Sequence, residues 1–253
     1  AESIAGPITV YGGNINVNAN LNTSSGGANG DILLKASGNI TQAAGVDVIT
    51  SGGDVTYWAD SDANSEGSIY LKVGTSTNTT TIATNNGSIT MGGGTSLATG
   101  YAYGYGTAAT YQHGINIDSY SVLDAGTGAV TLRGATAANL DGYNIGVRIS
   151  GTGASVIGGN LTFVGNASAA QSASNKGTWG TAIINGASVT GSGTIDISGV
   201  AGGSTASGNN FGVFIKNPVT GTGSGAVTIT GTGGGGTGSN NYGINLSGSG
   251  IVN

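Results

Sequence analysis

The chain has 253 residues, a net charge of −5 and 7 % charged residues, with 52 glycines, two prolines and no cysteine. Its six basic residues form no stripe able to neutralise a nucleic-acid backbone, and no apolar run reaches the roughly 18–20 residues of a membrane-spanning helix. Glycine without a three-residue period excludes collagen, and the absence of cysteine excludes a disulfide framework.

Taken in chain order, the sequence reads as short strands entered from glycine-rich turns. "PITVYGG" from Pro7, "DILLKAS" from Asp31, "DVTYWAD" from Asp54, "SIYLKVG" from Ser68 and "SITMGGG" from Ser88 each alternate apolar and polar residues. That period of two marks half-buried strands. Shorter candidates lie between them at "NINV" from Asn14, "GNIT" from Gly38, "VDVI" from Val46 and "TTIA" from Thr80. Residues 1–93 therefore read as short, irregular coils. Residues 94–113 hold "TSLATGYAYGYGTAATYQH", with Tyr101, Tyr103, Tyr105 and Tyr111, and read as a loop leaving the coil before it resumes at Gly114.

Residues 114–253 become regular. Lead strands recur at "GAVTLRG" (Gly128), "GNLTFVG" (Gly159), "GTIDISG" (Gly193) and "GAVTITG" (Gly225). Second strands follow at "GVRIS" (Gly146), "GTAII" (Gly180), "GVFIK" (Gly212) and "GINLS" (Gly243), then apolar spots at Val156, Val189, Val219 and Ile251. A period of roughly 31–34 residues with three strands per unit predicts a solenoid in which equivalent strands stack. The expectation is a single all-β body, a parallel β-helix of about ten coils with very little helix. Ala1 and the mid-coil ending "GIVN" suggest a segment of a longer chain.

The alternation also assigns faces. Ile8, Val55, Ile89, Val130, Leu161, Ile195 and Val227 point inward, and Thr9, Thr56, Thr90, Thr131, Thr162, Asp196 and Thr228 form an outward rank. The residue before the second-strand glycine repeats as His113, Ile145, Trp179, Phe211 and Tyr242, predicting a stacked column of large side chains. An ice-binding surface needs two such threonine ranks, and the one rank is broken by Asp196 and by Tyr70.

These residues resemble the filamentous-haemagglutinin-like and autotransporter passenger β-helices of Gram-negative bacteria. The segment "GDILLKASGNITQAAGVDVITSGGDVTYWAD" from Gly30 is close in style to their repeats, and the units after Gly128 look like passenger-associated repeats. The resemblance implies a right-handed β-helix exported to the cell surface, acting as an adhesin, a stalk or a fibre. The partner it implies is a glycan, a protein surface or another copy stacked end to end.

Chemistry-bearing residues are sparse. Asp60, Asp62, Asn64 and Glu66 alternate like the opening of a calcium loop, but Ser65 stands where its glycine is needed and Leu71 where its closing glutamate is needed. They read first as a solvated loop, with calcium the only cofactor the sequence suggests. A secreted glycan-cleaving enzyme, the alternative function, needs converging carboxylates. Only Asp118, Asp124 and Asp141 fall near one another in the repeat, and spread acids of this kind more often shape turns. His113, the one histidine, reads as a member of the ladder. No lysine follows the glycine runs at phosphate-loop spacing. The sequence is therefore read as a structural and adhesive protein without a catalytic residue. The four tyrosines are its candidate contact residues, either as a binding loop or as a seal packed onto the solenoid.

Overall fold

The computed structural model describes residues 3–105, 112–137, 143–167, 177–203, 208–236 and 238–248. Tyr111, Asp141 and Ile251 lie outside them. The described residues form an all-β parallel solenoid. Its one helical element is a short 3-10 segment at Ser24–Asn29, itself broken at Gly27.

Three parallel sheets run the length of the body. The first stacks Ile8–Gly12, Ile32–Ala36, Val55–Ala59, Ile89–Gly93, Val130–Thr136, Leu161–Asn166, Ile195–Val200 and Val227–Thr232, with Ala102–Gly104 added beside the fifth of these. The second stacks Ile15–Val17, Ile40–Gln42, Ile69–Leu71, Ile115–Ile117, Asn144–Ser150, Thr178–Ile184, Phe211–Ile215 and Tyr242–Leu246. The third holds seven strands, from Leu21–Asn22 to Val219–Gly221. Among the described residues each ladder of successive strands is thus at most eight rungs deep, which does not support the ten coils expected. The difference has a clear source. "SIYLKVG" has the alternation of a lead strand, but Ile69–Leu71 is the second-sheet strand of the third rung, paired with Ile40–Gln42 and Ile115–Ile117.

Register follows the inward/outward alternation residue by residue. Ile8 pairs with Ile32, Ile32 with Val55, Val55 with Ile89, and Ile89 with Val130. The line continues through Leu161 and Ile195 to Val227. Val130, Leu132, Leu161, Phe163, Ile195 and Ile197 are all buried as expected. Val227 and Ile229 are only partly buried, because the eighth rung has a neighbour on one side alone. The interior carries one polar device. Tyr57 and Gln42, both fully buried, join side chain to side chain, and Gln42 Nε2 donates to the carbonyls of Val46 (2.7 Å) and Thr81 (3.0 Å).

Threonine hydroxyls close the corners that lead from the third sheet to the next lead strand. Thr23, Thr50 and Thr84 are buried, and each donates to the carbonyl of a glycine further along its own turn, Gly30, Gly53 and Gly87. Asparagines do the same between rungs. Asn39 Oδ1 accepts from Ser68 N and Oγ, and Asn160 Oδ1 from Thr194 N and Oγ1. At these corners neutral side chains satisfy backbone polar groups, and at others the carboxylates of Asp31, Asp54 and Asp124 do so.

Where the first sheet meets the second, two glycine columns touch. A Cβ on Gly134 would collide with the carbonyl of Gly146, and one on Gly165 with that of Gly180. Only glycine permits this backbone contact. Beyond the neck, Trp179, Phe211 and Tyr242 stack as expected, with ring centroids 6.1 and 5.9 Å apart. Tyr143 and Phe214 also pack on Trp179, at 5.0 Å each. This cluster, with Ile145, Ala182 and Ile184, is separate from the main core.

Candidate functional site

The outward rank of threonines is real and lies on the first sheet. Thr56, Thr90, Thr131 and Thr162 are consecutive rungs, followed by Asp196 and Thr228. Leu33, not Tyr70, interrupts the rank, between Thr9 and Thr56. Tyr70 belongs to the second sheet, between Thr41 and Asn116. Two positions along each strand runs a second outward rank, in which Lys35, Trp58, Gly92, Arg133 and Val164 succeed one another.

The predicted excursion shapes this face. The chain leaves its strand at Gly94, whose carbonyl accepts a 2.7 Å hydrogen bond from Trp58 Nε1, and a tight turn brings Gly100 N to Ser96 O at 2.7 Å. Leu97 Cδ2 then lies 3.4 Å from where a Cβ on Gly92 would sit. The excursion thus lies down on the sheet over Gly92. An open groove of about 460 Å³ results, lined by Thr56, Thr90, Thr131, Leu97, Ala98 and Arg133. The Nε of Arg133 is buried without a hydrogen-bond partner. The one ion pair among the described residues is elsewhere, between Arg148 and Asp118 at 3.5 Å. Lys35, two rungs from Gly92, places its ammonium 3.8 Å from the centre of the Trp58 ring.

The tyrosine segment is not wholly a loop. Ala102–Gly104 forms a strand parallel to Val130–Thr136, with Tyr103 opposite Ala135. Tyr103 also exchanges backbone hydrogen bonds with Gly67, at 2.7 and 3.1 Å. Tyr101, Tyr103 and Tyr105 are half-buried on alternate positions. Asn39 Nδ2 donates to the Tyr105 hydroxyl at 2.9 Å. Burial raises the Tyr103 phenol above its ordinary value, with Asp60 and Tyr101 adding to the effect. These three tyrosines thus lie half-buried on the solenoid flank.

The acidic loop is self-contained. Asp60 is buried, and its Oδ1 accepts the amides of Ser65 (3.0 Å) and Glu66 (3.3 Å), while Asn64 Oδ1 accepts that of Glu66 (2.8 Å). Asn64 Nδ2 donates to Asp62 at 3.2 Å. Desolvation raises the Asp60 carboxyl above the usual range, opposed by those amides. Among the described residues, no three acidic or histidine side chains converge as a metal site. Asp118 pairs with Arg148 and accepts from Ser119 N, and Asp124 accepts from Gly126 N at 2.9 Å, which is turn chemistry. Arg148 also donates to Asn116 (2.7 Å) and Ser150 (2.9 Å).

His113 is 7 % exposed, and its Nδ1 has no hydrogen-bond partner. Burial, with the Arg148 charge assisting, pushes its pKa down to about 3. It is a neutral packing residue at the head of the column, where the amide of the next residue, Gly114, bonds the carbonyl of Ile145.

Arg133 is the functional candidate that sequence reasoning passed over. Its signal was present, since Leu132 inward puts Arg133 outward, and only six basic residues exist to consider. Comparison with known proteins finds no matching family, no matching curated protein and no matching solved structure.

Proposed function

We propose that this chain forms an exported cell-surface adhesin or fibre of a Gram-negative bacterium, built as a right-handed β-helix. The observation that carries the reading is the outer face of the first sheet. A rank of hydroxyls in rigid register runs beside a groove lined by Arg133, while Asp118 and Asp124 serve turns and one ion pair. Such a scaffold holds binding groups in fixed positions and brings no acid–base pair together, which favours contact over cleavage. The partner is a glycan or protein surface, with end-to-end stacking of copies as the route to a fibre.

Protease shaving of intact source cells, followed by detection with an antibody against this chain, tests the reading. Removal of the signal from unbroken cells is the expected result, and a signal seen only after lysis would overturn it. Incubation of the purified chain with polysaccharides tests the alternative, since release of new reducing ends would make it a glycan-active enzyme.

A further inference from the structure

We propose that the groove on the first sheet binds an acidic sugar within an extended glycan, with Arg133 holding the carboxylate and Thr56, Thr90 and Thr131 bonding the sugar hydroxyls. The inference rests on the adhesive reading only for where the glycan is met. Its chemistry comes from the site.

Three features identify the ligand. First, the Arg133 Nε–H is shut away from water with no acceptor. The ligand therefore meets the guanidinium at its terminal nitrogens, on the groove side, where Arg133 forms no ion pair among the described residues. A carboxylate fits the guanidinium fork with two parallel hydrogen bonds. Second, the three threonines occupy consecutive rungs, so their hydroxyls repeat at about 4.8 Å along the solenoid axis. That step is similar to the length of one pyranose in an extended chain, and all three threonines line the groove. Third, the groove lies on the face of a sheet whose backbone is paired on both sides. An extended peptide finds no free edge to join there, whereas a sugar needs only side chains.

Charge limits the ligand further. Asp31 and Asp54 precede the second- and third-rung strands on the same outward parity, each accepting an amide from the next rung at 2.8 and 2.7 Å. They repel a densely charged polyanion at the end of the groove away from Arg133. Lys35, over the Trp58 ring, offsets them in part, so the fitting ligand carries its carboxylate at the fifth rung and no dense run of charge towards the third. Leu97 and Ala98 form an apolar wall for the sugar ring face.

The test is calorimetric titration with a hyaluronan oligosaccharide, in which acidic and neutral sugars alternate, against its carboxyl-reduced counterpart and against dextran sulfate. Binding is expected for the first alone. Arg133→Gln should weaken it roughly tenfold or more, as expected for loss of a bidentate charged contact, and Thr90→Val should weaken it less. Should Arg133→Gln lower the melting temperature, Arg133→Lys keeps the charge but loses the fork and must still bind more weakly. Equal binding of the reduced oligosaccharide or of dextran sulfate, or affinity unchanged in Arg133→Gln, would overturn the site. A chain that attaches to cells but ignores the oligosaccharide loses this site and keeps the adhesive reading. A chain that binds the oligosaccharide but never reaches a cell surface does the reverse.

Discussion

Tyr57 donates its phenolic hydrogen to Gln42 Oε1 at 2.8 Å, in the middle of an otherwise apolar interior. The two residues come from adjacent rungs of different sheets, so the bond ties the first sheet to the second across the core. Burial raises the Tyr57 phenol well above its ordinary value, and it stays a donor at any working pH.

Removing that hydroxyl while keeping the ring strands the Gln42 acceptor. Tyr57→Phe should destabilise the chain by about 1–3 kcal/mol, the penalty for an unsatisfied buried polar group. Urea denaturation measures it. A Tyr57→Phe midpoint equal to that of the parent would mean the pair contributes nothing.

The glycine neck gives a second expectation. Gly165→Ala drives a methyl into the Gly180 carbonyl, and neither partner is a side chain that can turn aside. The loss should be at least about 1–3 kcal/mol, as for overpacking elsewhere. Gly13→Ala, which meets nothing within 4 Å, serves as the control and should leave the midpoint in place.

His113 gives the fold a pH dependence whose sign can be worked out. In the unfolded chain an imidazole takes up its proton near pH 6.5, while in the fold it does so only near pH 3. The unfolded state therefore binds more protons between those values, and stability falls as pH drops through that window, by at most about 1.4 kcal/mol per pH unit from this group. Above pH 7 there is no contribution. His113→Phe should flatten the melting-temperature profile between pH 6 and pH 4 relative to the parent. Parallel profiles would refute the assignment.

The aromatic column should be graded by burial. Phe211, 5 % exposed and stacked between Trp179 and Tyr242, should cost about 3–5 kcal/mol when cut to alanine. Tyr242, half exposed with one stacked neighbour, should cost clearly less. Melting temperatures of the two variants, with near-ultraviolet dichroism reporting the aromatic packing, decide the ranking.

The lead strands could be read from the sequence because inward residues repeat at i and i+2 beside a glycine, and Val130, Leu161 and Ile195 obey that rule without exception. Coil counting failed at Ile69 because first- and second-sheet strands share the same alternation. Only hydrogen-bond partners tell them apart. The tyrosine segment was legible as an interruption but not as a strand, since Ala102 and Gly104 carry no β-branched or bulky inward residue to announce one. The groove was half legible. Its threonines and Arg133 follow from parity, but the wall of Leu97 and Ala98 depends on a fold-back that no local pattern encodes. Phe214 and Tyr143 were missed as partners of Trp179, because neither occupies its repeat position: Phe214 pairs with Ala182, and Tyr143 precedes the strand Asn144–Ser150.

The touching columns at Gly134–Gly146 and Gly165–Gly180 have an evolutionary corollary. At the rungs of Gly134, Gly165, Gly199 and Gly231 the first and second sheets meet by backbone alone, so the stack there does not depend on the side chains of the segment that joins the two glycines. The segments between them can lengthen, shorten or change chemistry from rung to rung while the stack beneath keeps its register. The neck is a row of sockets along the later rungs, in which new surface can be tried without re-engineering the shaft.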